Sequence, residues 1–320
     1  MRRATGFCGS PRSACGGWQW RFFSLLICAT CSVAVHGQQD IMISQYLFNG
    51  LLLNPAYAGS HSYINSTLLQ RSQWTQMEGA PVTSVMAVDG PMAAEDLGLG
   101  LLISLDEIGV TSQLDVSVNF AYRLDMPVGK LAFGLRAGAT SYRAAVQDVE
   151  VWDPSDPVFS GNEIREFIPK FGFGAYYANE IFYIGASVPV LYALDDVLQN
   201  GEEDYFKRHL LVTSGVVLFP TERLTLKPTC LVKYVNNAPV EVDLNMHALI
   251  DNRFWLGLGY RSGASMVAMF EYQISPTFRT GYAHDFTTNG LRSFTGGSHE
   301  IMIGLDLGAG EVKTRSPRYF

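Results

Sequence analysis

The chain is constrained most by an alternation of apolar and polar residues that recurs after residue 60 in segments of about nine to thirteen residues. In residues 114–123 the even positions, beginning at Leu114 and ending at Tyr122, are all apolar, whereas the odd positions include Asp115 and Arg123. Successive side chains of a β-strand point to opposite faces. The pattern therefore predicts strands with one apolar face and one polar face.

About fourteen such segments follow one another, and fourteen is an even number, as in closed single-chain barrels of the outer membrane. Short turn signals such as Asp89-Gly90-Pro91 and Asp251-Asn252 separate neighbouring segments and predict an antiparallel meander. Longer connections, at 148–165, 190–207 and 287–298, fit the long loops on one rim of such a barrel. The segments begin near Ser62, Val82, Leu97, Ser112, Lys130, Phe167, Ile181, His209, Leu224, Val240, Arg253, Ser265, Thr277 and His299.

The first 37 residues differ from the rest, because they carry four arginines, no acidic residue and an apolar run at residues 22–35. This composition predicts a secretory signal peptide that is cleaved between Gly37 and Gln38. The alternative is a membrane-anchoring helix, but the apolar run falls short of the roughly 20 residues that span a bilayer.

Cleavage would remove four of the five cysteines and leave Cys230 alone, so no disulfide framework is expected. It would also leave 19 Lys and Arg against 30 Asp and Glu, a net charge of about −11 that argues against nucleic acid as a partner. No run of 18 apolar residues follows Gln38, so no transmembrane helix is expected in the exported chain.

The fold prediction is therefore an all-β, transmembrane antiparallel β-barrel of about 14 strands in the cell outer membrane, in contact with its lipid. The alternative is a soluble β-core, which export and the number of strands disfavour. The predicted division is a signal peptide at 1–37, a short N-terminal arm at 38–60 and the barrel at 61–320. The terminal Tyr319 and Phe320 are the predicted assembly signal.

No motif of a nucleophile elbow, a phosphate loop, a zinc site or a calcium loop stands in its proper context. We expect no catalytic residue, no cofactor and no metal. The residues Ser214, His209 and Asp243 could be imagined as a catalytic triad, but their spacing does not favour one, and lumen-facing polar residues explain them better.

Several charged residues fall on the polar face of predicted strands. They could line a ligand path through the lumen or neutralise one another, and charge pairing is the favoured interpretation. These lumen charges are Arg71, Arg123, Arg136, Arg261 and Asp115.

The chain resembles the PorP/SprF family of type IX secretion system outer-membrane proteins over almost all of its length after residue 37. The resemblance begins with Ser-Gln-Tyr-Leu-Phe-Asn at 44–49 and Leu-Asn-Pro-Ala-Tyr-Ala-Gly-Ser at 53–60. One departure is Gly50, where family members often have proline. Further matches follow in order at 71–74, 78–81, 89–91, 98–100, 122–123, 171–174, 227–228, 240–245, 254–257, 260–263, 298–302 and 316–320.

The resemblance implies a non-enzymatic accessory barrel that docks type IX secretion components or a secreted cell-surface protein, such as a gliding adhesin, at the outer membrane. The alternative function is a diffusion porin or a small-substrate channel, and a barrel enzyme is a third. The arm would bind a partner or plug the lumen, although a segment that packs at the rim and closes the barrel is an equal alternative. The arm residues singled out are Gln45, Tyr46, Phe48, Asn54, Pro55 and Tyr57.

Overall fold

The computed structural model describes residues 43–92, 96–145, 163–193, 208–236 and 238–308. The predicted signal peptide and the predicted assembly signal at Tyr319 and Phe320 lie outside these residues. Almost all of the described chain is β-strand, preceded by a short irregular arm at 43–60.

The strands pair antiparallel with their sequence neighbours, except that β8 and β9 do not pair with each other and both pair with β10. They are β1 (Ile64–Ser72), β2 (Val82–Pro91), β3 (Leu97–Ile108), β4 (Thr111–Asp125), β5 (Lys130–Ala144), β6 (Ile164–Ala178), β7 (Phe182–Ala193), β8 (His209–Val216), β9 (Leu218–Thr221), β10 (Leu224–Val235), β11 (Glu241–Ile250), β12 (Phe254–Arg261), β13 (Ser265–Gln273), β14 (Phe278–Thr287) and β15 (Ser298–Leu307).

The sheet closes on itself. Strand β1 pairs with both β2 and β15, and β11 pairs with both β10 and β12, so no strand edge is left open in the ring. Strands β8 and β9 are two parts of one barrel strand that is interrupted at Val217, and both pair with β10. The result is a closed antiparallel barrel of 14 strands, which confirms the predicted fold class.

The predicted segments match the observed strands in order, and each predicted start lies within three residues of an observed one. The two faces of the strands also differ as predicted, as β4 illustrates. Its even positions, such as Val118 at 48% exposure, lie on the outer face, whereas its odd positions, such as Asn119 at 0%, are buried inside. The outer face is largely apolar, as in a surface that contacts lipid.

The two rims of the barrel differ in their connections. Because the number of strands is even, β1 begins and β15 ends at the same rim, here called the terminal rim, and its turns have at most five residues. The longer connections, at 73–81, 145–163, 194–208 and 288–297, all join strand ends at the opposite rim, here called the loop rim. Outer-membrane barrels have short periplasmic turns and long extracellular loops, so the loop rim corresponds to the extracellular side.

Within the described ranges, no helix is long and apolar enough to cross a membrane.

The lipid-facing surface generates a testable prediction. Leu258 lies at the middle of β12 on the outer face and is 70% exposed, so Leu258→Arg should lower the free energy of unfolding in lipid by about 2–4 kcal/mol. Val128→Arg, at an exposed position of a terminal-rim turn, should cost less than about 1 kcal/mol. Denaturant unfolding in phospholipid vesicles measures both. Equal costs would contradict the assignment of the outer face to lipid.

Candidate functional site

The arm lies inside the barrel and consists of three short turns. They are a 3-10 turn at Tyr46–Phe48, one helical turn at Gly50–Leu53 and a second 3-10 turn at Pro55–Tyr57. The last turn has a local cause: the Asn54 side chain accepts a hydrogen bond from the Ala56 amide at 2.9 Å, and Pro55 follows Asn54 at the first position of the turn.

The N-terminal end of the arm is held at the loop rim by carboxylates. Glu300 accepts hydrogen bonds from the Ser44 amide at 2.6 Å and from the Gln45 amide at 3.0 Å. Asp285 accepts one from the Ser44 hydroxyl at 2.7 Å. Arg71 forms ion pairs with both Asp285, at 2.9 Å, and Glu300. These side chains belong to the loop-rim ends of β1, β14 and β15.

A second arginine extends this network along the wall. Arg261, at the loop-rim end of β12, forms ion pairs with Asp243 at 3.2 Å and with Asp285 at 3.4 Å. Lys233 contacts Glu241 at 3.2 Å on the neighbouring strands. We name Arg71, Arg261, Asp243, Asp285 and Glu300 the anchor network, and all five side chains are buried.

The middle of the arm is held through its carbonyl groups. Arg136 of β5 donates to the carbonyl oxygens of Leu51 and Leu52 while its Nε donates to Asn119 at 2.7 Å. Two strands along the wall, Ser187 of β7 donates to the carbonyl of Leu53 at 2.6 Å.

The last residues of the arm reach the terminal rim. Asn54 donates to the carbonyl of Ala175 in β6 at 2.9 Å, and Arg123 donates to the carbonyl of Ala58. The Gly59 amide donates to Asp89, near the terminal-rim end of β2, at 2.8 Å. The described arm therefore runs through the lumen from the loop rim to the terminal rim, in contact with many strands of the wall.

Glycines in the wall make room for this route. A Cβ atom at Gly134 would clash with the Ala56 backbone, and one at Gly98 would clash with the Ala58 carbonyl. The lumen is therefore shaped for the main chain of this arm, because only glycine allows such close approach.

The arm residues singled out from the sequence are all buried. Phe48 makes edge-on ring contacts with His247 and Trp255, at 6.2 and 6.0 Å between centroids. Tyr46 accepts a hydrogen bond from Asn245 at 2.6 Å. The Gln45 side-chain amide has no hydrogen-bond partner among the described residues.

Tyr57 fixes the terminal-rim end of the arm. Its ring contacts Tyr176 edge-on at 5.7 Å, and its hydroxyl lies 3.0 Å from Nε2 of His61. The phenol of Tyr57 serves here as a hydrogen-bonding group.

The lumen charges predicted from the sequence separate into two roles. Arg71 and Arg261 form ion pairs with acidic residues, whereas Arg123 and Arg136 donate to carbonyl groups of the arm. Asp115 pairs with Lys170 of β6 and accepts from Thr140 at 2.8 Å. Sequence reasoning missed several residues that pair with these lumen charges or with the arm, although each occupies a polar position of an alternating segment. They are Asp89, Lys170, Asp285 and Glu300.

The imagined triad does not form. Ser214 alternates with the buried Thr213 and Gly215 and so lies on the outer face, which makes the lumen-facing interpretation of this residue wrong. Asp243 is buried inside and paired with Arg261. Within the part of the chain that the structure describes, no group of three or more His, Cys, Asp or Glu is placed to hold a metal ion.

A closed 14-stranded barrel with an apolar outer surface and a charged lumen defines an outer-membrane β-barrel protein. Residues 35–305 match the family described as type IX secretion system membrane protein PorP/SprF. The chain belongs to this family.

Solved structures similar to the chain are also outer-membrane proteins. They include Omp33 of Acinetobacter baumannii (9% identity, TM-score 0.46, 78% of this chain and 99% of that one) and the CymD monoaromatic hydrocarbon channel (13%, 0.43, 81% and 91%). Phospholipase A of Escherichia coli is a third (10%, 0.37, 83% and 98%). No curated protein gives a significant match to the chain. The fold assignment rests on the strand pairing itself, because these TM-scores lie below 0.5.

The anchor network predicts a strong effect of one substitution. Arg71→Met removes the cation between Asp285 and Glu300 and leaves two buried carboxylates, so it should lower the free energy of unfolding by about 3–5 kcal/mol. Hydrogen exchange of the Ser44 and Gln45 amides should rise in the same variant. Lys130→Met, which breaks an exposed ion pair, is the control and should cost less than about 1 kcal/mol.

The glycine lining of the lumen predicts a second effect. Gly134→Ala should displace the Pro55–Tyr57 turn and lower the free energy of unfolding by about 1–3 kcal/mol, because the new methyl group overlaps the arm backbone. Gly290→Ala, which has open space around it, is the control. Hydrogen exchange resolved along residues 43–60 measures the displacement. Unchanged exchange in Gly134→Ala would show that the arm does not occupy the lumen as described.

Proposed function

We propose that the protein is a non-enzymatic docking platform of the type IX secretion system, which binds a component of that system or a secreted cell-surface protein at the loop rim. The observation that carries the proposal is the arm, which occupies the lumen along its full height and is held at both ends and in the middle. A barrel that is filled by its own chain is suited to presenting a surface.

The alternative function, a diffusion porin or small-substrate channel, needs a continuous aqueous path. The arm obstructs such a path, because its carbonyl and amide groups are bonded to inward side chains of strands around the barrel. Rim-to-rim occupation therefore favours docking over diffusion.

The loop rim offers an ordered surface for a partner. The connection 73–81 is joined to the connection 288–297 by two backbone hydrogen bonds of 2.9 Å between Thr75 and the pair Gly296 and Gly297. The connection 73–81 is also joined to the β3–β4 turn, by the hydrogen bond from the Gly109 amide to the Gly79 carbonyl at 3.0 Å.

Backbone strain is stored in this surface. Trp74 and Gln76 have φ values of 48° and 77°, a region that bulky side chains rarely occupy and that costs about 1–3 kcal/mol per residue. The hydrogen bonds to the neighbouring connection hold these conformations. Such strain is typical of ligand-binding segments. At the edge of the same surface, Phe294 is 69% exposed, and exposed aromatic side chains are frequent anchors of protein interfaces.

The first experiment is co-purification of the tagged protein from solubilised outer membranes, with partners identified by mass spectrometry. We expect type IX components or a large secreted surface protein in the wild type. Phe294→Ser should lower the recovery of that partner at least about tenfold, which corresponds to roughly 1.4 kcal/mol of binding free energy. Val128→Ser, which removes an exposed apolar side chain at the terminal rim, should leave recovery unchanged.

Planar-bilayer recording separates the two functions. The wild type should show no steady conductance, because the arm obstructs the lumen from rim to rim. Steady ion conductance together with the absence of any co-purified partner would overturn the docking proposal and support the porin.

A further inference from the structure

The arm does not fill the lumen evenly. On the side of β3–β8 it leaves a cavity of about 650 Å³ when the part open to solvent is included. Leu52 and Leu53 of the arm form one wall of the cavity. Ser104, Gln113 and Lys170 lie in the middle or the loop-rim half of their strands, so the cavity is on the loop-rim side. We name it the outer cavity.

The polar wall of the outer cavity is built from fixed charges. Lys170 is paired with Asp115, and Arg136 is held by Asn119 and by the arm carbonyls. The charged lining residues that the structure describes are thus two cations and one carboxylate, a net charge of +1. The anchor network on the other side of the lumen has three carboxylates and two arginines, a net charge of −1. An anion is therefore favoured in the outer cavity and disfavoured at the anchor network.

An unsatisfied group faces the same space. Ser117 lines the outer cavity and is 2% exposed, yet its hydroxyl has no hydrogen-bond partner among the described residues. Buried hydroxyl groups without a partner are uncommon, and each calls for a missing partner. A main-chain group or carboxylate of a ligand would supply it.

The neighbouring wall is irregular. The ladder between β6 and β7 shifts register between Phe171 and Phe173, next to the lining residues Lys170, Pro189 and Val190. Pro189 has no amide hydrogen to donate to a ladder. Such irregularities in barrels occur next to binding sites, where they change the direction of side chains.

The lumen already holds one polypeptide by this chemistry. The arm is bound through main-chain carbonyls that accept from Arg123, Arg136 and Ser187 and through amides that donate to Glu300. The outer cavity has the same kind of wall, with arginine, lysine and hydroxyl donors opposite leucine side chains. No described lining residue is aromatic, so the cavity lacks the flat ring faces that would favour a sugar or an aromatic hydrocarbon.

We propose that the outer cavity binds an extended, acidic peptide segment of the docked partner. The inference rests on the proposed docking function and identifies where and by what chemistry a partner enters the barrel. Carboxylates of the segment would lie beside Lys170 and Arg136, its main chain would satisfy Ser117, and its apolar side chains would contact Leu52 and Leu53.

The test uses the full-length protein in detergent and a fluorescein-labelled peptide of alternating Glu and Ser, with a peptide of alternating Lys and Ser as the matched probe. Fluorescence anisotropy should show saturable binding of the acidic peptide and at least about tenfold weaker binding of the basic one. Ser117→Trp, which fills the cavity, should abolish binding. Equal affinity for the two peptides, or unchanged binding in Ser117→Trp, would overturn the proposal.

A second variant guards against a folding defect in Ser117→Trp. Lys170→Gln removes one cation from the outer cavity and should weaken the acidic peptide about tenfold, whereas Lys233→Gln removes the same charge beside the anchor network and should leave its affinity unchanged. Equal effects of the two variants would mean that only overall charge matters, and the proposal would be wrong.

Partner recovery separates this inference from the docking function. If the acidic peptide does not bind while the co-purified partner is retained, the outer cavity is not the receptor and docking stands. If the wild type neither binds the acidic peptide nor co-purifies with a partner, both proposals are wrong.

Discussion

The whole structure depends on the requirement that backbone amide and carbonyl groups be paired inside a membrane, where water is not available to them. Fourteen strands meet it by closing into a ring in which β1 bonds β15. Closure has two consequences for the side chains. The alternate residues that point outward must be apolar, and those that point inward enclose a lumen whose charges are shielded from lipid but need partners of their own.

The arm supplies many of these partners. Its amides bind Glu300, and its carbonyls bind Arg123 and Arg136, so several inward charges are satisfied by the main chain of one segment. Buried charges are costly unless they are paired and hydrogen-bonded. Removing one member of a buried pair is more destabilising than having apolar residues in place of the whole pair. The wall and the arm therefore stabilise each other: the barrel provides the charges and the glycine clearance, and the arm provides the hydrogen-bonding groups.

The sequence predicted the strands well because their evidence is local. Period-two alternation in a segment such as 114–123 defines a strand and its two faces without any knowledge of its neighbours. The partners of the lumen charges were not predictable in the same way. Arg71 pairs with residues more than 200 positions away, because ring closure brings β1 beside β15. Asp115 pairs with Lys170 of β6, two strands along the wall from β4, since inward side chains of nearby strands converge in the lumen. The route of the arm depends on that same three-dimensional arrangement, which no spacing along the chain encodes.

The covalent connection of the arm to β1 limits which part of the lumen is available for the proposed docking. A tethered segment competes at an effective concentration in the millimolar range for a short flexible linker, so a free peptide with equal contacts would rarely displace it. The arm also has main-chain hydrogen bonds at both ends and in the middle, which a partner would have to replace together. The proposed docking is therefore confined to space that the arm leaves free. Among the described residues, that space at the loop rim is bounded by the arm turn at Gly50–Leu53, so in the proposed function the arm both obstructs the barrel and forms one wall of the surface offered to a partner.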